Sequence, residues 1–448
     1  MNKNVKMITT GEEGRVLVKL ALPMTAGILG MIIFNLMDTY FVGKLGTVEL
    51  AALSFTFPVI MIISSIAHGL GVGMTTAVSR ATGRQDRESQ IRLVTHGMIL
   101  SFLVVLVFVI IGQMTIDPVF RLLGADDTTL PVIKEYMRIW YWGVVFVVVP
   151  MTGNSAIRGL GDTKTPGIVM MIAALINTVL DPLLIFGIGP FPELGVAGAA
   201  LATVTARAIT FCVAIYILGF RDKVFSFRGE RLTGFWKSWK EILYVGVPNS
   251  LTKMIVPIGA GVVTGIIARN GRAAVAGFGV ATRIELFSLL FSNSLISVLP
   301  VFIGQNWGRG RKDRVLRGLR LSENFTLIYG ALLYVILFFT ARPLGGLFNP
   351  NPDVVDVIVY YLRIVPLGYG LQAMMQVGVT SLNVLKKPIP AALLTLIQMF
   401  CLYIPLATVG NLHFGIFGIF ASLALSYLIM GPVTHIMNKN YITKLKCG

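Results

Sequence analysis

The sequence predicts an all-α polytopic membrane protein with twelve transmembrane helices in two homologous six-helix lobes. Composition, a series of long apolar runs and an internal repeat predict this fold. Of the 448 residues, 55% are hydrophobic and only 13% are charged, about half the charged share of an average soluble domain. Because the deficit of charge extends along nearly the whole chain, we infer that lipid is its main solvent.

The apolar runs have the length of membrane spans. A spanning helix needs roughly 20 mostly apolar residues, and twelve runs satisfy this. They cover residues 15–43, 48–79, 91–113, 131–157, 166–189, 194–220, 238–268, 273–304, 318–341, 354–384, 388–411 and 414–436. Each run is continuously apolar rather than alternating, which excludes a transmembrane β-barrel.

The second half of the chain repeats the first at a constant offset of 225 residues. Pro23 matches Pro248, and Tyr136 matches Tyr361. Six spans separate the copies, so both halves insert with the same orientation, as a parallel 6+6 repeat. The expected organisation is an N-lobe of spans 1–6 at residues 1–220, a cytoplasmic linker at 221–240 and a C-lobe of spans 7–12 at 241–448.

Lys and Arg concentrate at the termini and in every second connecting segment, including residues 80–92, 221–240 and 309–320. The positive-inside rule then places both termini in the cytoplasm, and we expect a plasma (inner) membrane of a bacterium. The net charge of +17 is therefore a signal of topology. We expect the basic segments to contact anionic membrane lipid. Elements typical of nucleic-acid binding are missing, so we expect no nucleic-acid partner.

Asp38 and Asp181 lie well inside predicted spans of the first lobe, where an ionisable side chain is expensive and indicates function by default. Asp38 is in the first span and Asp181 in the fifth, at similar depth. Asn177 precedes Asp181 by four residues, which puts both side chains on one helix face. Two such carboxylates cannot both stay charged at low cost and favour sharing a proton. The alternative is that Asp38 hydrogen-bonds a helix break and Asp181 opens an Asp-Pro turn.

Several local motifs resemble the multidrug and toxic compound extrusion (MATE) family over essentially the whole chain. They are Asp38-Thr-Tyr-Phe-Val-Gly43, Arg158-Gly-Leu-Gly-Asp162, Asn177-x-x-x-Asp181-Pro182 and Gly304-Gln-Asn-Trp-Gly308. The chain is most similar to the DinF branch, and this implies that Asp38 and Asp181 serve a coupling proton, with Thr203 nearby. The sodium-linked NorM branch uses acids in the second lobe, and the corresponding segments here, PNSLTKMIVP and LGYGLQAMMQVG, contain none.

The predicted function is a proton-coupled antiporter that exports amphipathic, often cationic, drugs or metabolites by alternating access. Such multidrug efflux confers drug resistance. Its expected partners are small organic substrates and protons, and we expect a monomer without a cofactor. No catalytic constellation or metal-ligand spacing occurs, so we expect no enzyme and no metal site. The alternatives are a sodium-coupled exporter of the same family and a lipid-linked saccharide flippase of related architecture.

Further residues are assigned to the cleft and its motion. We expect Phe34, Phe57, Asn154 and Met170 to line the substrate site, with plain helix packing as the alternative. Pro23 removes one hydrogen bond of the first helix, and it is the expected hinge.

The second lobe has charged residues of its own within predicted spans. We expect Lys253 and Glu285 to form a structural or gating ion pair, with Arg283 close by. Arg207, in the sixth span, either extends to the headgroups or pairs with a carboxylate.

Overall fold

The computed structural model describes residues 3–226 and 233–445. Along these residues the chain forms α-helices joined by short turns and contains no β-strand. Arg228, Arg231 and Lys446, which contribute to the expected cytoplasmic charge, lie outside the described residues. The all-α prediction is confirmed.

The first half of the chain contains eight α-helices. They are α1 (Lys3–Thr10), α2 (Glu13–Gly43), α3 (Thr47–Gly83), α4 (Arg87–Leu122), α5 (Thr129–Gly143), α6 (Val145–Gly159), α7 (Lys164–Phe186) and α8 (Gly195–Tyr216), which ends in a π-helical turn, Ile217–Arg221. The polar segments between them supply helix starts. Asp86 accepts a hydrogen bond from the Ser89 amide at 2.9 Å and thereby caps α4. Hydrogen bonds from the hydroxyl and the amide of Ser89 lower the pKa of Asp86.

The second half also contains eight α-helices. They are α9 (Phe235–Ala268), α10 (Arg272–Ser288), α11 (Leu290–Gly308), α12 (Lys312–Phe348), α13 (Pro352–Ile364), α14 (Tyr369–Val384), α15 (Pro388–Leu396) and α16 (Ile404–Lys444). A 3₁₀ turn, Val365–Gly368, joins α13 to α14, and a π-helical segment, Ile397–Tyr403, joins α15 to α16.

These helices account for the twelve predicted spans. Within the described residues, nine helical stretches are long and apolar enough to cross a membrane, and α10 with α11 forms a tenth, bent by 54°. Helices α5 and α6 meet at Val144 and together give an eleventh. The last stretch is 57 residues long, and it contains a kink at Gly415, where φ is 58° and ψ is −142°. Because only glycine adopts such a conformation readily, Gly415 divides this stretch into the last two spans.

The chain divides into two compact units whose boundaries fall inside helices. Leu22–Ser250 forms most of the first unit, while Lys6–Ala21 joins the second unit, which continues from Leu251. The boundaries therefore lie within α2 and α9, whereas the sequence analysis placed them at a linker of residues 221–240. The described part of that linker belongs to the first unit.

Close packing explains why the start of α9 belongs to the first unit. A Cβ on Gly69 of α3 would clash with the carbonyl oxygen of Gly246 in α9, so glycine at position 69 allows the two backbones to approach this closely. His96 and Ser238 hydrogen-bond at 2.9 Å, which attaches α9 to α4 as well. The sequence pattern of a basic linker gave no sign of these contacts.

Polar contacts fix the start of the chain within the second unit. Arg314, at the start of α12, donates to Glu13 at 3.0 Å and to the carbonyl oxygen of Gly11 at 2.6 Å. Arg317 pairs with the same Glu13 carboxylate at 3.1 Å. These bonds satisfy an acid at the N-terminus of α2, where the helix dipole also favours negative charge.

Candidate functional site

Asp38 lies one turn before the end of α2. It is half-buried, and its Oδ1 atom is buried without a hydrogen-bond donor among the described residues. A buried carboxylate oxygen usually has a partner. Oδ1 of Asp38 is therefore able to accept a further hydrogen bond.

Asp181 and Asn177 are fully buried on one face of α7. The Asn177 amide donates to Oδ1 of Asp181 at 3.1 Å. The other Asp181 oxygen, Oδ2, and the Asn177 oxygen have no partner in the described part of the chain. Pro182 follows within the same helix, and its missing N–H removes one backbone hydrogen bond of the helix at this point.

The two aspartates lie close enough to interact electrostatically, and both also act on Tyr136 of α5. Tyr136 is 6% exposed. We did not predict Tyr136 as a site residue, although it belongs to the repeated Tyr-x-Arg-Ile motif that signals the duplication. Thr203, on α8, is buried, and its hydroxyl makes no hydrogen bond to either carboxylate within the described residues. Three side-chain oxygens of this cluster, on Asp38, Asn177 and Asp181, have no donor within the described residues.

A small cavity with room for about one water molecule lies among α2, α7 and α8. Its lining residues are Met31, Phe34, Met170, Ala173, Ala174, Ala206 and Arg207. The guanidinium of Arg207 lies over the Phe34 ring, 5.2 Å from its centroid. Phe34 precedes Asp38 by one helical turn on α2, so the cavity and the carboxylates share a helix face.

Two of the four residues expected to bind substrate line this cavity. Phe34 and Met170 do so, whereas Phe57 and Asn154 do not. Phe57 is 61% exposed on α3. An aromatic residue in an apolar run has the same sequence signature on either face of a helix.

The expected ion pair in the second unit is not formed. Glu285, on α10, accepts a hydrogen bond from the Tyr361 hydroxyl, and the side chains of Tyr369 and Gln372 interact with the same carboxylate. No ion pair joins Lys253 to Glu285 in the part of the chain that the structure describes, and both Lys253 and Arg283 are exposed. Neutral hydroxyl and amide groups take the place of the expected lysine.

Helix α2 continues through Pro23 without a break. It packs closely on α7 there: a Cβ on Gly27 would lie 2.9 Å from the carbonyl oxygen of Gly167.

Within the described residues, no group of three or more His, Cys, Asp or Glu side chains is placed to hold a metal ion. The chemistry of this site is therefore that of carboxylates, an amide and one guanidinium.

Known proteins share this architecture. The MatE family model matches residues 23–183 and 248–409. The FAD transporter of Shewanella oneidensis is 37% identical over 418 residues, which cover 93% of this chain and 92% of that protein. The probable multidrug resistance protein NorM of Thermotoga maritima is 25% identical over 404 residues, covering 89% and 86% of the two chains.

A solved structure agrees over nearly the full length. The crystal structure of the Vibrio cholerae MATE transporter VcmN in its bent form matches with a TM-score of 0.91 and 26% identity, covering 99% of this chain and 98% of that chain. These relatives are transporters rather than enzymes. The family model covers both halves of the repeat, and the chain therefore belongs to the MatE family of multidrug and toxic compound efflux transporters.

Proposed function

We propose that this protein is a proton-coupled antiporter in which Asp38 and Asp181 accept the coupling proton. The observation that carries the proposal is the set of buried acceptors without donors: Oδ1 of Asp38, Oδ2 of Asp181 and the oxygen of Asn177. A proton on either carboxylate supplies a donor that the fold itself leaves out. Protonation also removes one of two neighbouring charges from a low-dielectric site.

Coupling to sodium receives less support from the same geometry. A bound cation needs several oxygen ligands at fixed distances, and only two carboxylates and one amide oxygen are available in this cluster. In the second unit, Tyr361 already donates to the Glu285 carboxylate. Oxygens without donors also suit a hard cation, so sodium coupling is the alternative that separate proton and sodium gradients distinguish.

The proposed substrates are amphipathic aromatic molecules, and a flavin dinucleotide is the leading metabolite among them. The support is the relative named as an FAD transporter, which is 37% identical over 93% of this chain. Other relatives carry names that refer to multidrug resistance at 25% identity or less. The closer relationship favours the flavin dinucleotide as the substrate to test first. The protein acts in the inner membrane of a bacterium with both termini cytoplasmic.

The test uses purified protein in liposomes loaded with FAD, with a pH gradient or a sodium gradient imposed separately. We expect external acid alone to drive FAD efflux from liposomes that contain the wild type. Asp38→Asn and Asp181→Asn should reduce efflux to the rate of FAD-loaded liposomes without protein. Asp127→Asn is the matched control, because Asp127 is an exposed partner of Arg121.

Each part of the proposal fails separately. Efflux driven by sodium alone, or normal efflux by Asp38→Asn, overturns the proton site. Efflux of ethidium but not FAD under the pH gradient leaves the coupling intact and overturns the flavin substrate.

A further inference from the structure

Arg207 is a positively charged side chain that has no acidic partner among the described residues. It lies in the middle of α8, inside a predicted span, where a charged side chain is costly unless it is paired. Within the described residues its side chain makes no ion pair or hydrogen bond, and its guanidinium lies over the Phe34 ring. Other arginines of the first unit have polar partners: Arg158 donates to Ser155 at 2.8 Å, and Arg221 to Asp162 at 2.8 Å.

Everything else that lines the cavity is apolar. Apart from Arg207, the wall consists of Met, Phe and Ala side chains. Arg207 lines the cavity and is partly exposed. A single fixed positive charge in an apolar cavity attracts an anion and repels a cation.

We propose that Arg207 binds the phosphate of an anionic aromatic substrate while Phe34 and Met170 contact its ring system. This inference rests on the proposed export of a flavin dinucleotide. Guanidinium groups bind phosphate through two parallel hydrogen bonds, and methionine and aromatic side chains adapt to flat apolar rings. The cavity thereby selects flavin nucleotides over cationic dyes.

The size of the cavity limits what it holds. The cavity has room for about one water molecule, far less than the roughly 300 to 1,000 Å³ of sites that enclose whole drug-sized ligands. The helices around it must therefore move apart before a phosphate and the adjoining edge of a ring system can enter.

The aromatic ring that covers Arg207 belongs to the same helix as one of the coupling acids. Thr203 precedes Arg207 by one turn of α8, and Phe34 precedes Asp38 by one turn of α2. A single helix, α2, thus carries both a ring that covers Arg207 and a carboxylate that takes the proton. Any movement of α2 on protonation therefore changes the position of the Phe34 ring over Arg207 and its bound phosphate.

A series of flavins that differ in charge tests the subsite. Riboflavin is uncharged, whereas FMN and FAD carry one and two phosphates on the same ring system. Binding of each to purified protein is measured by flavin fluorescence for the wild type, Arg207→Gln and Arg207→Lys. We expect Arg207→Gln to weaken FMN and FAD by roughly 10- to 100-fold, to leave riboflavin unchanged, and Arg207→Lys to restore part of the loss.

Arg121→Gln is the control, because it removes an exposed arginine of the same unit and should bind all three flavins as the wild type does. Equal weakening of riboflavin and FAD by Arg207→Gln means that Arg207 only shapes the cavity, and unchanged FAD binding places the phosphate elsewhere. Either result overturns the subsite while FAD export stands. A wild type that binds none of the flavins yet exports ethidium under a pH gradient overturns the flavin substrate and the subsite together.

Discussion

Each half of the repeat has a buried tyrosine beside an acid, but the acids are bonded in opposite ways. Tyr136 and Tyr361 occupy matching positions. In the first unit, Tyr136 lies within electrostatic range of Asp38 and Asp181, each of which has a buried oxygen without a donor. In the second unit, Tyr361 donates directly to Glu285.

The difference separates an acid that accepts a hydrogen bond within its own unit from acids that keep buried oxygens without donors. A carboxylate that already accepts hydrogen bonds gains little from a new donor, whereas an unsatisfied one gains much. The repeat position that matches Asp38 is Val263, a buried core residue. Duplication thus preserved the tyrosine, while the donor-poor acids occur in the first unit.

The largest expected effect is the loss of transport in Asp38→Asn, and it tests the difference between the acids of the two units directly. Asp38→Asn should abolish efflux driven by a pH gradient, because the amide neither takes up nor releases a proton. Glu285→Gln should retain most of the wild-type rate, since an amide still accepts a hydrogen bond from Tyr361. Transport by both variants is measured in the same liposome assay with matched protein amounts. Comparable loss in the two variants would mean that the coupling acids are shared between the units.

The matching prolines test whether the two units also differ in the motion of their helices. Pro23 lies in α2, the helix that carries Asp38 and Phe34, and its repeat partner Pro248 lies in α9. We expect Pro23→Ala to slow pH-driven efflux several-fold, because alanine restores a helical hydrogen bond and stiffens α2. Pro248→Ala should change the rate little. A larger loss in Pro248→Ala would assign the moving helix to the second unit.

Much of the fold could be predicted from the sequence because each determinant is local. Apolar runs of spanning length and a repeat with constant register need no knowledge of tertiary contacts, and both the helical fold and the family are confirmed. The boundaries of the two compact units differ from the expected linker because they depend on close packing, such as Gly246 against Gly69. Nothing in a basic linker indicates which helices it will contact.

The site could be predicted in part for the same reason. Asp38, Asn177 and Asp181 are polar residues in apolar runs, so the cost of burying them marks them without a structure. The partner of Glu285 was wrong because charge complementarity favours Lys253, whereas packing brings Tyr361 to it. Arg207 could not be interpreted from sequence, since its meaning depends on the apolar cavity around it.

The smallest expected effect concerns the two tyrosines themselves. Tyr361→Phe removes a donor from a carboxylate on a neighbouring helix and should cost about 2 kcal/mol of stability. Tyr136→Phe should cost little, because the Tyr136 hydroxyl makes no hydrogen bond within the described residues. The measurement is the midpoint of thermal unfolding in one detergent, with Tyr334→Phe, a partly exposed tyrosine of α12, as the control. Because phenylalanine fills nearly the same volume, a difference between the variants isolates the hydrogen bond. Equal midpoints for Tyr136→Phe and Tyr361→Phe would mean that the bond to Glu285 adds no net stability, and the contrast between satisfied and unsatisfied acids would then lose its energetic basis.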